Sequence, residues 1–131
     1  MKTLKKGGLE LDLDLKGAWI KRFDKDGKHI FFPYKEMEIS GAHKLRGGMH
    51  VCAPNFGPDE ILNELPQHGY GRDEEWKVIE EEENFIKIEL AGKASYENVK
   101  FTLSYLLADD RLITEFVAVN EGEDTKLINP A

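Results

Sequence analysis

A single cysteine, Cys52, stands in 131 residues, so no internal disulfide can form and the chain fits a reducing compartment. Apolar runs of the roughly 20 residues that carry a helix across a bilayer are missing. The N-terminal Met1-Lys2-Thr3-Leu4-Lys5-Lys6 is charged and lacks a following apolar core, so no secretory leader is expected. Basic runs are missing too. Lys and Arg number 18 against 25 Asp and Glu, a net charge of −7, which disfavours nucleic acid and anionic membrane as partners. Phosphate-cradling glycine loops, nucleophile elbows and zinc-ribbon spacings do not occur. His29, His43 and His50 show no metal-ligand spacing, and His50 beside Cys52 is a weak zinc signal, so no metal is assigned. Cys52 between Val51 and Ala53 reads as a buried small hydrophobe. The expectation is one soluble, cytoplasmic domain over residues 1–131, with no repeat or linker.

What is present alternates. Leu9, Leu11, Leu13 and Leu15 are spaced by Glu10, Asp12 and Asp14, the period of a half-buried strand. Gly17 to Phe23 and Lys28 to Pro33 read as a hairpin turning at Asp24-Lys25-Asp26-Gly27. Glu75 to Glu82 with Phe85 to Ala91 reads as a second hairpin, its turn in the acidic run Glu80 to Glu83. In a third, Val99, Phe101, Leu103 and Tyr105 alternate with Lys100, Thr102 and Ser104, and Arg111 to Asn120 returns. Only Asp59 to Leu65, between Pro58 and Pro66, has helix signals, for a turn or two. Roughly eight strands without βα alternation predict an all-β fold, an antiparallel β-sandwich or barrel. Trp19, Phe31, Phe32, Phe85, Phe101 and Phe116 are expected mostly in the core, with Trp76 there or bordering a pocket.

One stretch does not alternate. Between Lys44 and Trp76 lie three of the five prolines, two of the four histidines, and Arg46 and Arg72. Long loops specified by Gly and Pro are where scaffolds place binding and chemistry. Arg46, His50, Gln67, His68 and Arg72 can together grip an anionic, hydroxyl-rich ligand. Two readings stand for His68: a donor or acid–base group facing a substrate hydroxyl, or a structural imidazole bonded to loop backbone. Two stand for the arginines: forks converging on a phosphate or carboxylate, or surface pairs with Asp73, Glu74 or other acids. Gly47 and Gly48 are expected to leave bare backbone for a ligand to approach.

The segment Leu45-Arg46-Gly47-Gly48-Met49-His50-Val51-Cys52-Ala53-Pro54-Asn55-Phe56-Gly57-Pro58 resembles the R-G-G-x-P-x-x-x-P-x-F-G stretch of aldose 1-epimerases, in the branch acting on hexose 6-phosphates. Leu65-Pro66-Gln67-His68-Gly69-Tyr70-Gly71-Arg72 with Trp76 resembles that family's L-P-Q-H-G-F-A-R…W stretch. His50 stands where the family has proline, and Gly71 where it has alanine. The resemblance implies part of a galactose mutarotase-like supersandwich, with 1–131 corresponding to the N-terminal half of an aldose 1-epimerase. It implies interconversion of α and β anomers of a sugar or sugar phosphate, without a cofactor. Arg46 and Arg72 would bind the sugar or its phosphate, Gln67 a hydroxyl, and His68 would act near the ring oxygen. It also places the family's principal acid histidine just past Asn129-Pro130-Ala131, and its base glutamate later still. Losing each such group forfeits a factor of ~10² to 10⁴, so this chain alone is expected to be feeble. A homodimer or a complementing C-terminal half is the expected partner. A non-catalytic sugar-phosphate-binding β-module and a self-associating β-protein are the alternatives.

Overall fold

The computed structural model describes residues 1–61 and 63–131. Its first sheet holds β1 (Lys2–Lys6), β2 (Leu9–Asp14), β3 (Trp19–Lys25) and β4 (Lys28–His29), in that order. A separate two-stranded arm follows, β5 (Lys35–Ile39) with β6 (Ala42–Arg46). The second sheet contains β7 (Lys77–Glu81), β8 (Phe85–Ala91), β9 (Val99–Leu107) and β10 (Leu112–Asn120), ordered β10-β9-β8-β7. Every strand pairing is antiparallel. A 3-10 turn at Ala94–Tyr96 is the one helical element among the described residues. No helix of the described residues is long and apolar enough to cross a membrane.

The alternation read from sequence is the alternation of burial. Leu9, Leu11 and Leu13 point inward from β2, and Ile86, Ile88, Phe101, Leu103, Tyr105 and Leu107 point inward from β8 and β9. Both sets belong to one apolar cluster, so the two sheets close on each other as a β-sandwich. Each fully buried aliphatic or aromatic side chain contributes about 1.5–3 kcal/mol over its exposed state. Backbone bonds stitch the layers: Lys5 N–H to Glu83 O (2.9 Å), Gly17 N–H to Glu74 O (2.7 Å) and Trp76 N–H to Leu15 O (2.9 Å). Tyr105 crosses the core to donate its hydroxyl to Ala18 O at 3.1 Å.

A bulge shapes the part that matters for the site. Arg22 pairs with Asp12 but Ile20 with Leu13, leaving Lys21 as the extra residue. Ile20 and Phe23 can therefore both face the core although three positions apart, a spacing that strict alternation forbids. The same bulge turns Trp19 and Lys21 away from the core.

Several expectations need correction. Ten strands form among the described residues, not roughly eight. β1 was not anticipated because only Leu4 among its five residues is buried. The arm was not anticipated because nearly all of its residues are exposed, so it carries no burial period. The first hairpin turns at Asp26-Gly27, both with positive φ (50° and 76°), two residues past the start of the expected turn. Among the described residues of 59–65 there is no helix. Asp59 takes the Glu64 and Leu65 N–H groups on its side chain and that of Asn63 on its carbonyl (3.2 Å), closing one turn before Pro66. Leu62 of that expected helix lies outside the described residues.

A further pairing had no signal in the sequence. The segment 129–131 bonds to the 52–56 stretch, with Cys52 N–H to Ala131 O at 2.7 Å and Phe56 N–H to Asn129 O at 2.7 Å, so the two run in opposite order around a single parallel bridge at Asn55–Asn129. The loop 47–57 is thus pinned between the edge of β3 and the last residues of the chain.

Candidate functional site

The loop is built by close backbone approach. Met49 and Ile20 exchange both backbone bonds (2.8 and 3.0 Å), which lays residues 48–50 along β3. A Cβ on Gly48 would lie 2.2 Å from Ile20 O, and one on Gly47 2.2 Å from Pro33 O. The bareness of these glycines is thus used by the protein's own strands, not left for a ligand. Trp19 donates its indole N–H to Gly47 O at 3.2 Å and stays half-buried. Farther along, the buried Tyr70 and Trp76 bracket Arg72. Trp76 donates to Gly71 O at 2.8 Å, and Gly71 donates to Ala53 O at 2.9 Å. Trp76 is a core residue; it is Trp19 that borders the open cleft, and Phe32 is 65% exposed.

These anchors bring four side chains to one place. Arg46, Gln67, His68 and Arg72 all line a cleft of about 460 Å³, together with Trp19, His43, Lys44, Leu45 and Asp73. Past Trp19, a second depression of about 510 Å³ adjoins it and adds Asp14, Lys16, Lys21, Tyr34 and Glu36. The first cleft carries three fixed cations, Lys44, Arg46 and Arg72, against one carboxylate, Asp73. Arg46 Nη1 donates only to Leu45 O, its neighbour's carbonyl, at 2.8 Å. Arg72 Nε stands 3.8 Å from Asp73 Oδ2, too far for a hydrogen bond. Most guanidinium donors in the cleft therefore remain available to a ligand.

His68 sits at positive φ (68°), held to Gly57 at both ends. Its backbone N–H donates to Gly57 O at 2.8 Å, and its Nδ1 accepts from Gly57 N–H at 3.0 Å. Phe56 packs on the ring, with centroids 5.1 Å apart. An Nδ1 committed as acceptor puts the neutral ring's proton on Nε2, so the free nitrogen is a donor. The structural reading of His68 is met at Nδ1, while Nε2 makes no protein hydrogen bond among the described residues, in a ring that lines the cleft. His50 is different. It lies against Trp19 (centroids 4.3 Å), with Nδ1–H toward Val51 O at 3.3 Å. Burial chiefly, aided by the charges of Arg72 and His68, lowers its pKa, so it is a neutral underlay to the cleft and not a lining group. Burial raises the Cys52 thiol above its ordinary value despite the Arg72 charge, which makes it a packing residue. No group of three or more His, Cys, Asp or Glu positioned to hold a metal ion occurs among the described residues.

The profile of the aldose 1-epimerase family matches residues 2–131. The chain belongs to the aldose 1-epimerase family. Its fold is similar to that of a candidate aldose 1-epimerase from Escherichia coli K12, with a TM-score of 0.75 and 18% identity over 96% of this chain and 48% of that one. A galactose mutarotase-like protein from Lactobacillus casei ATCC 334 gives 0.70 and 15%, over 95% of this chain and 45% of that one. A galactose mutarotase related enzyme from Lactobacillus acidophilus gives 0.67 and 19%, over 91% and 43%. At such identities the likeness concerns the fold. The chain spans slightly less than half the length of these solved structures. For a member of the family, the signal that sequence reasoning missed was Trp19, whose place at the cleft depends on the bulge at Lys21.

Proposed function

We propose that this epimerase-family chain binds an aldose in the Arg46–Arg72 cleft and serves the interconversion of its α and β anomers, with a hexose 6-phosphate as the preferred ligand. The observation that carries this reading is the charge of the cleft. A chain of net charge −7 sets three cations against one carboxylate at this one hollow and leaves most of their donors unspent. Two guanidinium forks can hold a phosphate in charge-assisted bonds, and Gln67 offers both a donor and an acceptor to a hydroxyl.

Anomer exchange requires removing the O1 proton, protonating the ring oxygen and breaking the C1–O5 bond. The aldehyde then rotates, and the hydroxyl re-adds to either face. His68 suits the acid half of this exchange, since Nε2–H is its free donor and the Gly57 bond fixes the ring. The cleft's one carboxylate, Asp73, leans toward Arg72, so no strong base faces His68. The isolated chain should therefore bind sugar phosphate well and exchange its anomers slowly.

The test is a titration of the isotopically labelled chain with glucose 6-phosphate, followed by magnetisation-transfer NMR of anomer exchange in the same sample. Shifts confined to Arg46, Gln67, His68, Arg72 and their cleft neighbours, with slow exchange, support the reading. Fast exchange would mean that the acid–base pair is complete in these residues. No shifts at millimolar ligand would sink it and leave the cleft without a sugar-phosphate role.

A further inference from the structure

Three consecutive residues, Asn55, Phe56 and Gly57, bear on His68. Phe56 packs on its ring, Gly57 N–H donates to Nδ1 at 3.0 Å, and Gly57 O accepts the His68 backbone N–H at 2.8 Å. The state of the ring therefore depends on how the polar groups of Gly57 are aimed. Glycine does not aim them by itself. Gly57 has a φ of 75°, and a Cβ there would meet nothing within 4 Å, so the residue supplies a conformation and not room. Pro58 after it has no N–H with which to anchor the turn. The other bond to Gly57 comes from Asn55, whose side-chain Nδ2 donates to Gly57 O at 2.9 Å. That arrangement leaves Asn55 Oδ1 buried, with no hydrogen-bond partner among the described residues. A buried acceptor left unpaired is unfavourable and calls for an explanation. Turning the amide over would set Oδ1 against Gly57 O, acceptor facing acceptor, and put Nδ2 in the unpaired position. Gly57 O thus fixes the orientation, and what Asn55 supplies is a donor. Its own backbone is held on both sides, by Asn129 N–H to Pro54 O (3.0 Å) and by Phe56 N–H to Asn129 O (2.7 Å).

We propose that Asn55 is a positioning residue for His68: by holding Gly57 O it aims Gly57 N–H at Nδ1 and keeps the neutral imidazole in the form with its proton on Nε2. Asn55 is not among the residues that line the cleft, so it acts through His68 and not on a ligand. An imidazole free to exchange tautomers would offer the cleft a donor at one moment and an acceptor at the next. A fixed one offers a donor only, which is what protonation of a ring oxygen requires. That use of the donor rests on the sugar-phosphate reading above. The tautomer itself does not, and it can be read without any sugar present.

Long-range proton–nitrogen NMR of the isotopically labelled 131-residue chain, at about pH 8 where an ordinary imidazole is neutral, should show His68 in the Nε2–H form alone. A scalar coupling across the hydrogen bond should link Gly57 N to His68 Nδ1. Asn55→Ala should lose that coupling and show both tautomers. Asn55→Asp keeps the shape and the Oδ1 acceptor but has no amide donor, so it should lose the coupling as well. A wild-type spectrum in Asn55→Asp would mean that Asn55 only fills space, and would overturn the proposal. If neither variant folds, the wild type decides: couplings from Asn55 Nδ2 to the Gly57 carbonyl and from Gly57 N to His68 Nδ1 support it, and the absence of either overturns it. With glucose 6-phosphate, Asn55→Ala should weaken binding up to about fivefold, and should add nothing in a chain that already carries His68→Ala. Additive losses would overturn the proposal, since Asn55 would then act apart from His68. No binding by the wild type would sink the sugar-phosphate reading, and the tautomer measurement would still decide for Asn55.

Discussion

Two groups of charge on this protein have opposite characters. On the outer face of β2 and β3, Arg22 is held by Glu10, by Asp12 (2.7 Å) and by Asp24 (3.2 Å), and Asp24 also holds His29 at 2.7 Å. Each guanidinium arm is spent. In the cleft, Arg46 reaches only a neighbouring carbonyl, and Arg72 stops 3.8 Å short of Asp73. An acidic chain with carboxylates to spare has saturated one arginine and left two open. A guanidinium saturated by its own protein organises a surface, whereas one left open next to Gly-defined backbone is available to a ligand.

The sharpest way to break this contrast is to remove the open pair. Arg46→Ala combined with Arg72→Ala should weaken glucose 6-phosphate binding by roughly 100-fold or more, at about 1.5–3 kcal/mol for each charged hydrogen-bonding group. Thermal stability should hardly change, which calorimetry and titration on the same samples will show. Asp24→Ala should do the reverse. Asp24 is 5% exposed and bonded to Arg22 and His29, so its loss should cost about 1–3 kcal/mol in urea unfolding while leaving sugar-phosphate affinity intact. A large loss of affinity in that variant would mean that the two charge groups are one system.

Smaller effects sharpen the comparison. His68→Ala removes a single outward donor and should weaken binding about fivefold, near 1 kcal/mol. The smallest effect concerns pH. Hydrogen bonds from Arg22 foremost lower the Glu10 carboxyl. Burial raises that of Asp12, but the bonds and charge of Arg22, with Thr3 and Lys5, outweigh it and leave it low as well. Both groups hold their protons less tightly in the folded chain than in the unfolded one. Their contribution is therefore present above about pH 4 and fades as pH falls through their folded values. Unfolding midpoints measured down a pH series should drop more steeply in the wild type than in Arg22→Met.

What the sequence disclosed follows the same physical division. β2, β8 and β9 were legible because one of their faces is buried, and burial imposes the period of two. β1 and the arm had no buried face to advertise them, so nothing in Lys35-Glu36-Met37-Glu38-Ile39 distinguishes a strand from a polar connection. The four cleft residues were legible as chemistry, through Gly, Pro, His and Arg concentrated in one stretch. Their convergence was one of two readings left open, and it is decided by contacts distant in sequence: Ile20 with Met49, Gly57 with His68, and Ala53 with Gly71. Trp19 was expected in the core as a large aromatic within the apolar run Ala18-Trp19-Ile20. The single extra residue at Lys21 reverses the facing of everything before it.

The pairing of 129–131 with the 52–56 stretch sets a timetable for synthesis. The strand partner of Cys52 leaves the ribosome about 80 residues after Cys52 itself, a delay of several seconds at ordinary translation speeds. The first sheet, the Met49–Ile20 pair and the Gly71–Ala53 bond can form in that interval, but the bonds of Cys52 and Phe56 to residues 129–131 cannot. Long-range pairings of this kind form late because their loop must first be closed. Any ligand that needs the 52–56 stretch held by residues 129–131 can be bound only after those residues have been made.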